Sequence, residues 1–87
     1  TPSAPTKVST YRAGKVAVIM WSPPSNALVD GFDVFITRGN VLLAMVRTTA
    51  TGGVKIYGLK PGLYSIQIAS INANGTSRKS VAKRLQI

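Results

Sequence analysis

Asp30 and Asp33 are the only acidic side chains in this 87-residue chain, which has no glutamate, histidine or cysteine. Spaced three apart at the entry to a strand, they point to different faces and do not make a paired acid and base. The commonest general base, a reactive thiolate and the usual nitrogen and sulfur metal ligands are all absent. No serine or lysine has an evident activating partner. The chain therefore reads as non-catalytic, without cofactor or metal. The two aspartates read as a turn former at Val29-Asp30-Gly31 and a solvated partner for Arg38 or Arg47.

Such chemistry as the sequence offers is cationic. Eleven lysines and arginines against two acids give a net charge of +9 and a pI near 10.8. That imbalance favours anionic partners at low salt. Lys7, Arg12, Lys15, Arg38, Arg47, Lys55 and Lys60 are scattered, whereas Arg78, Lys79, Lys83 and Arg84 cluster and form the candidate polyanion-binding site. On a regular strand Arg78 and Arg84 share one face, and Lys79 and Lys83 share the other with Val81 and Leu85. A bulge or strand end is then needed to free Lys83. The competing role of the cluster is edge protection, since charged side chains on a terminal strand deter pairing with another molecule. A nucleic-acid surface would interleave exposed aromatics with the cations. Trp21, Phe32 and Tyr64 fall at core positions, so no specific nucleic-acid site is expected. Asn74-Gly75-Thr76 has the form of an N-glycosylation acceptor in an exposed turn, and also of a plain turn.

The elements that position these residues read as strands. Apolar residues recur with period 2, and glycines or prolines interrupt every longer stretch, which predicts strands near 7–11, 15–21, 31–38, 41–48, 54–57, 63–72 and 78–86. Gly39-Asn40 predicts a type II′ hairpin, so the third and fourth strands are neighbours. Thr51-Gly52-Gly53 and Asn74-Gly75 are expected to supply positive-φ residues for sharp reversals. Alternation places Ala17, Ile19 and Trp21, then Phe32, Val34 and Ile36, then Val54 and Ile56, and then Tyr64, Ile66 and Ile68 inward. Val16, Val18 and Met20 then point outward and, with Tyr57, form a candidate protein-docking face, unless adjacent side chains cover them. Residues 1–5 read as a linker and 6–87 as one domain, too small for a second core. No apolar run approaches the length needed to cross a bilayer, so membrane insertion is not expected.

Trp21 with Ser22-Pro23-Pro24, and Gly58-Leu59-Lys60-Pro61-Gly62 before Tyr64, carry the strongest pattern. Pro23 and Pro24 have no N–H to continue a ladder, so they end the tryptophan strand. A tyrosine just past such a turn fits a tyrosine corner, its ring in the core and its hydroxyl bonded to nearby backbone. With Pro5, Val8, Phe32, Val34, Ile36, Ile66, Ile68, Asn72, Gly75 and Ser77, these residues resemble the fibronectin type III family over nearly the whole chain. One departure is that only Leu63 separates Gly62 from Tyr64, where the family usually has two residues.

The resemblance implies an all-β, seven-stranded antiparallel two-sheet sandwich with a structural core marked by Trp21, Pro23, Pro24, Leu59 and Tyr64. It further implies a spacer or display module within a larger extracellular or virion-surface protein, with specificity in the loops at 22–31, 49–53 and 72–77. Similar modules occur in animal adhesion proteins and receptors, bacterial polysaccharide-degrading enzymes and bacteriophage tail proteins. The scarcity of acids and the lack of disulfides favour a bacterial or phage-tail setting. So does Asn-Gly-Thr where integrin-binding members can carry Arg-Gly-Asp. Expected partners are neighbouring domains of the same polypeptide and an anionic cell-surface polymer or glycan. A specific adhesion or receptor-type module binding one protein is the alternative.

Overall fold

Two tight hairpins set the register of the sandwich in the computed structural model, which describes residues 2–24 and 28–87. β1 (Thr6–Ala13) turns through Gly14 and Lys15 into β2 (Val16–Ser22), with Ala13 opposite Val16. β3 (Gly31–Arg38) turns through Gly39 and Asn40 into β4 (Val41–Thr48), with Arg38 opposite Val41. Gly39 has φ +61°, and Lys7 is the only non-glycine with positive φ among the described residues, so the loop has the backbone signs of the expected type II′ turn.

The remaining strands are β5 (Gly53–Ile56), β6 (Leu63–Asn72), β7 (Gly75–Thr76) and β8 (Lys83–Gln86). They make a three-stranded sheet ordered β1-β2-β5 and a five-stranded sheet ordered β4-β3-β6-β7, with β8 also paired to β6. The count is eight rather than seven because Gly75–Thr76, read as part of a turn, pairs with β6, while of the strand expected at 78–86 only β8 is formed. Along residues 77–82 the ladder gives way to two serines. Ser77 donates its N–H to Ser70 O and accepts from Ser70 N–H through Oγ, both at 2.8 Å. Ser80 does the same with Ile68, at 2.8 and 2.9 Å. Three residues of this segment span two of β6, a mismatch no regular ladder accommodates. Hydroxyl groups therefore satisfy β6 where backbone cannot.

Alternation predicts the core well. Ala17, Ile19 and Trp21 from the smaller sheet face Phe32, Val34, Ile36, Ile66 and Ile68 from the larger, all buried, and Val8 and Leu85 close the side. The Trp21 and Phe32 rings meet at 5.2 Å between centroids, tilted by 57°, within the range that aromatic pairs prefer. Val54, Ile56 and Leu59 are half-buried against this cluster. β2 stops at Ser22, where Pro23 begins, as the missing N–H groups require.

Tyr64 is buried, and its hydroxyl donates to Lys60 O four residues back, so the corner forms despite the shortened spacing. Two backbone bonds between Gly62 and Ile87, of 3.2 and 2.9 Å, pin the chain end beside it.

One expectation changes. Neither Gly52 nor Gly53 has positive φ. Gly53 is needed instead for close approach, because a Cβ there would lie 3.0 Å from Ile19 O and 3.3 Å from Met20 Cγ. Within residues 1–5, Pro2 and Pro5 are buried. β1 also contains a bulge, its register slipping between Thr6 and Ser9 around Lys7 at φ +52°. Of the loop expected at 22–31, residues 25–27 lie outside the described residues.

Candidate interaction surface

The single ion pair among the described residues joins the sheet that presents most of the candidate surface. Asp33 and Arg47 are register partners on β3 and β4. Arg47 Nε donates to Asp33 Oδ1 at 2.9 Å and Arg47 Nη2 to Oδ2 at 3.1 Å, a two-point fork. The hydrogen bond and the charge of Asp33 raise the Arg47 pKa, against a small opposing effect of burial. Of the two suggested partners Arg47 is the one used, and Asp33 is buried rather than solvated. Asp30 is exposed and donates only its backbone N–H, to Ile71 O at 2.7 Å. Asp33 thus serves an ion pair, while Asp30 ties the chain to β6 through its backbone, and no turn is formed at Val29-Asp30-Gly31.

The four clustered cations are exposed, and Lys79, Lys83 and Arg84 divide between two surfaces. Lys79 Nζ lies 4.4 Å from the centroid of the Phe35 ring on the outer face of the five-stranded sheet. Such a contact contributes roughly 0.5–1 kcal/mol at exposed positions. Arg84 is opposite Ser65 on the same face and lines a shallow hollow with Gly39 and Leu63. Lys83 begins β8 opposite the inward Ile66, and the strand end leaves it exposed, as its parity requires. It lines a groove with Lys7, Pro5, Val8 and Val81. Lys7 is thus a neighbour that sequence reasoning missed. It lies 76 positions before Lys83, and only the approach of β1 to β8 brings them together, marked by Thr10 Oγ donating to Arg84 O at 3.0 Å.

The candidate docking face on the smaller sheet is incomplete. Val18 occupies the outward side of β2, but its cross-strand partners are Tyr11 and Lys55, and only 7% of it is exposed. A central strand flanked on both sides by long side chains is covered by them. Val16 is half-buried, while Met20 and Tyr57 are exposed. No continuous Val-Val-Met row reaches the surface.

Exposed apolar surface gathers instead on β4. Val41, Leu42, Leu43 and Met45 are each 50–59% exposed, and Leu63 adds to them at 48%. Ile36 is opposite Ala44 whereas Thr37 is opposite Leu42, so Leu43 is an extra residue and the bulge turns Leu42 to the outer face with Met45. The sequence signal was the run Val41-Leu42-Leu43-Ala44-Met45-Val46, in which alternation fails.

Several known proteins share this architecture. No family model matches the chain. Roundabout homolog 4 from Rattus norvegicus is 31% identical over 88 residues, covering 92% of this chain. This chain spans only 9% of that protein's length. A solved myokine structure superposes with a TM-score of 0.85 at 22% identity, over 99% of this chain and 97% of that one. The FN5 domain of Drosophila Lar gives a TM-score of 0.78 at 23% identity, over 99% and 96%. Strand order, tyrosine corner and these superpositions agree: the chain has the fibronectin type III fold.

Proposed function

We propose that this domain is a non-catalytic module of a larger surface-exposed polypeptide, in which it acts as a rigid spacer or display platform. The observation that carries the spacer reading is the placement of its two ends. Pro5 packs beside Val81 at the start of β1, whereas Ile87 packs beside Arg12 and Gly14 at the other end of that strand. Chain entering and leaving is separated by the length of β1, an arrangement suited to domains in series. The domain measures 36 Å along its longest axis. Its neighbours in the polypeptide are its first partners.

The cations add weak attachment to an anionic surface polymer or glycan. Supporting this, Arg78, Lys79, Lys83 and Arg84 are all exposed, and Arg47 and Asp33 make the only ion pair among the described residues. In a phage tail such charge would hold the particle loosely against an anionic envelope. Unchanged adsorption after deletion of the domain counts against that setting.

The test is retention of the 87-residue chain on heparin and on bacterial cell-wall polymer across a salt series, beside a variant with Arg78, Lys79, Lys83 and Arg84 changed to serine. Attachment through these residues predicts retention that falls steeply with salt and a shallower slope for the variant, because counterion release counts contacts. Equal slopes for the two proteins would remove the attachment role and leave the spacer.

A further inference from the structure

We infer that the free edge of β4 is a docking site for an extended acidic segment of a protein partner, which adds to the five-stranded sheet as a further strand. The other sheet edges carry devices against pairing. β1 carries a bulge at Lys7 and lies against β8. β5 is four residues long with Lys55 at its centre. β8 is also four residues long, carries Lys83 and Arg84, and continues from the irregular serine segment. Shortness, charge and distortion are the devices that keep edges from pairing.

β4 uses them least. It is eight residues long, ends the sheet with no strand beyond it among the described residues, and contains no proline. Its bulge lies at the hairpin end, so Ala44–Thr48 is regular against β3. Its one charge, Arg47, is already engaged by Asp33. About half the N–H and C=O groups of such an edge strand point away from its single neighbour. Beside them stand the exposed Leu42 and Met45 on the outer face. Main-chain bonding gives affinity in strand addition, and alternate side-chain contacts give selectivity.

Charge selects the occupant. A second copy would bring another +9 to the contact, which disfavours self-pairing. An incoming strand with alternating apolar and acidic residues would seat its apolar side chains on Leu42 and Met45, with its carboxylates attracted by the net charge of +9. This site does not depend on the anionic-polymer reading, which concerns side-chain charge alone.

The experiment is an NMR titration of the isotope-labelled chain with a synthetic ten-residue peptide alternating valine and glutamate. Two controls accompany it: the same peptide N-methylated at alternate amides, and a ten-residue polyglutamate. The expected result is saturable shifts and slowed amide exchange centred on residues 44–48, lost with the N-methylated peptide and weak with polyglutamate. Changing Leu42 and Met45 to serine should weaken binding at least tenfold with an unchanged unfolding midpoint. The peptide controls stand even if that variant folds poorly. Equal binding of the N-methylated peptide, shifts confined to residues 78–84, absence of saturable shifts on β4, or self-association of the free chain through β4 would each overturn the proposal.

Discussion

Ser77 and Ser80 show how much a single hydroxyl can decide. Each accepts from a buried β6 N–H that has no regular ladder partner. Ser80→Ala leaves the Ile68 N–H unsatisfied, and a buried donor without a partner costs about 1–3 kcal/mol. Urea unfolding should register that loss, whereas Val81→Ser, at a position 79% exposed, should stay within about 0.5 kcal/mol of the parent. Tyr64→Phe keeps the ring in the core and removes only the bond to Lys60 O, for an expected loss of about 1 kcal/mol. The tyrosine was legible because its place after Lys60-Pro61-Gly62 is a pattern in the chain. The serines were not, because their role depends on a mismatch with β6. Asp33→Asn should lower the unfolding midpoint by weakening the fork to Arg47. The difference from the parent should narrow as salt is added, since one partner is exposed to solvent.

At the level of elements, the adjacent glycines at the start of β5 make a sharp contrast. Gly52→Ala meets nothing nearer than Trp21 O at 3.9 Å and needs no unusual φ. It should be neutral or stabilising by about 0.4–1 kcal/mol through the unfolded chain. Gly53→Ala places a Cβ 3.0 Å from Ile19 O on the neighbouring strand. The crowding must push β5 from β2, with an expected cost of about 1–3 kcal/mol. Thermal unfolding of the two variants, compared side by side, checks both signs. Composition shows two glycines in a turn and does not say which one touches the next strand. The β3-β4 hairpin was legible for the opposite reason, since Gly39-Asn40 separates its strands directly and local backbone preference fixes the loop. The shortening of the strand expected at 78–86 to β8 was missed because the apolar period of that segment says nothing of its pairing with β6.

For the whole molecule, net charge and shape govern behaviour. A charge of +9 on a domain with a radius of gyration of 12.4 Å is self-repelling, so stability should rise with moderate sodium chloride and the unfolding midpoint should move upward between low and physiological ionic strength. A flat or falling midpoint would show that the charges are spread widely enough for repulsion to be unimportant. The same distribution explains why the cationic cluster read from residues 78–84 divides in space. Lys79 and Arg84 serve the outer sheet face, while Lys83 joins Lys7 at the opening between the sheets.

The fold class, the inward residues and the main turns were legible in the chain alone, because alternation, proline and glycine act through the local backbone and through burial. Which cations are neighbours, why Val18 is covered, and where apolar surface is left exposed were decided by the tertiary structure. Each depends on which strand lies beside which and on a one-residue slip in register, and such relations join positions far apart in the chain.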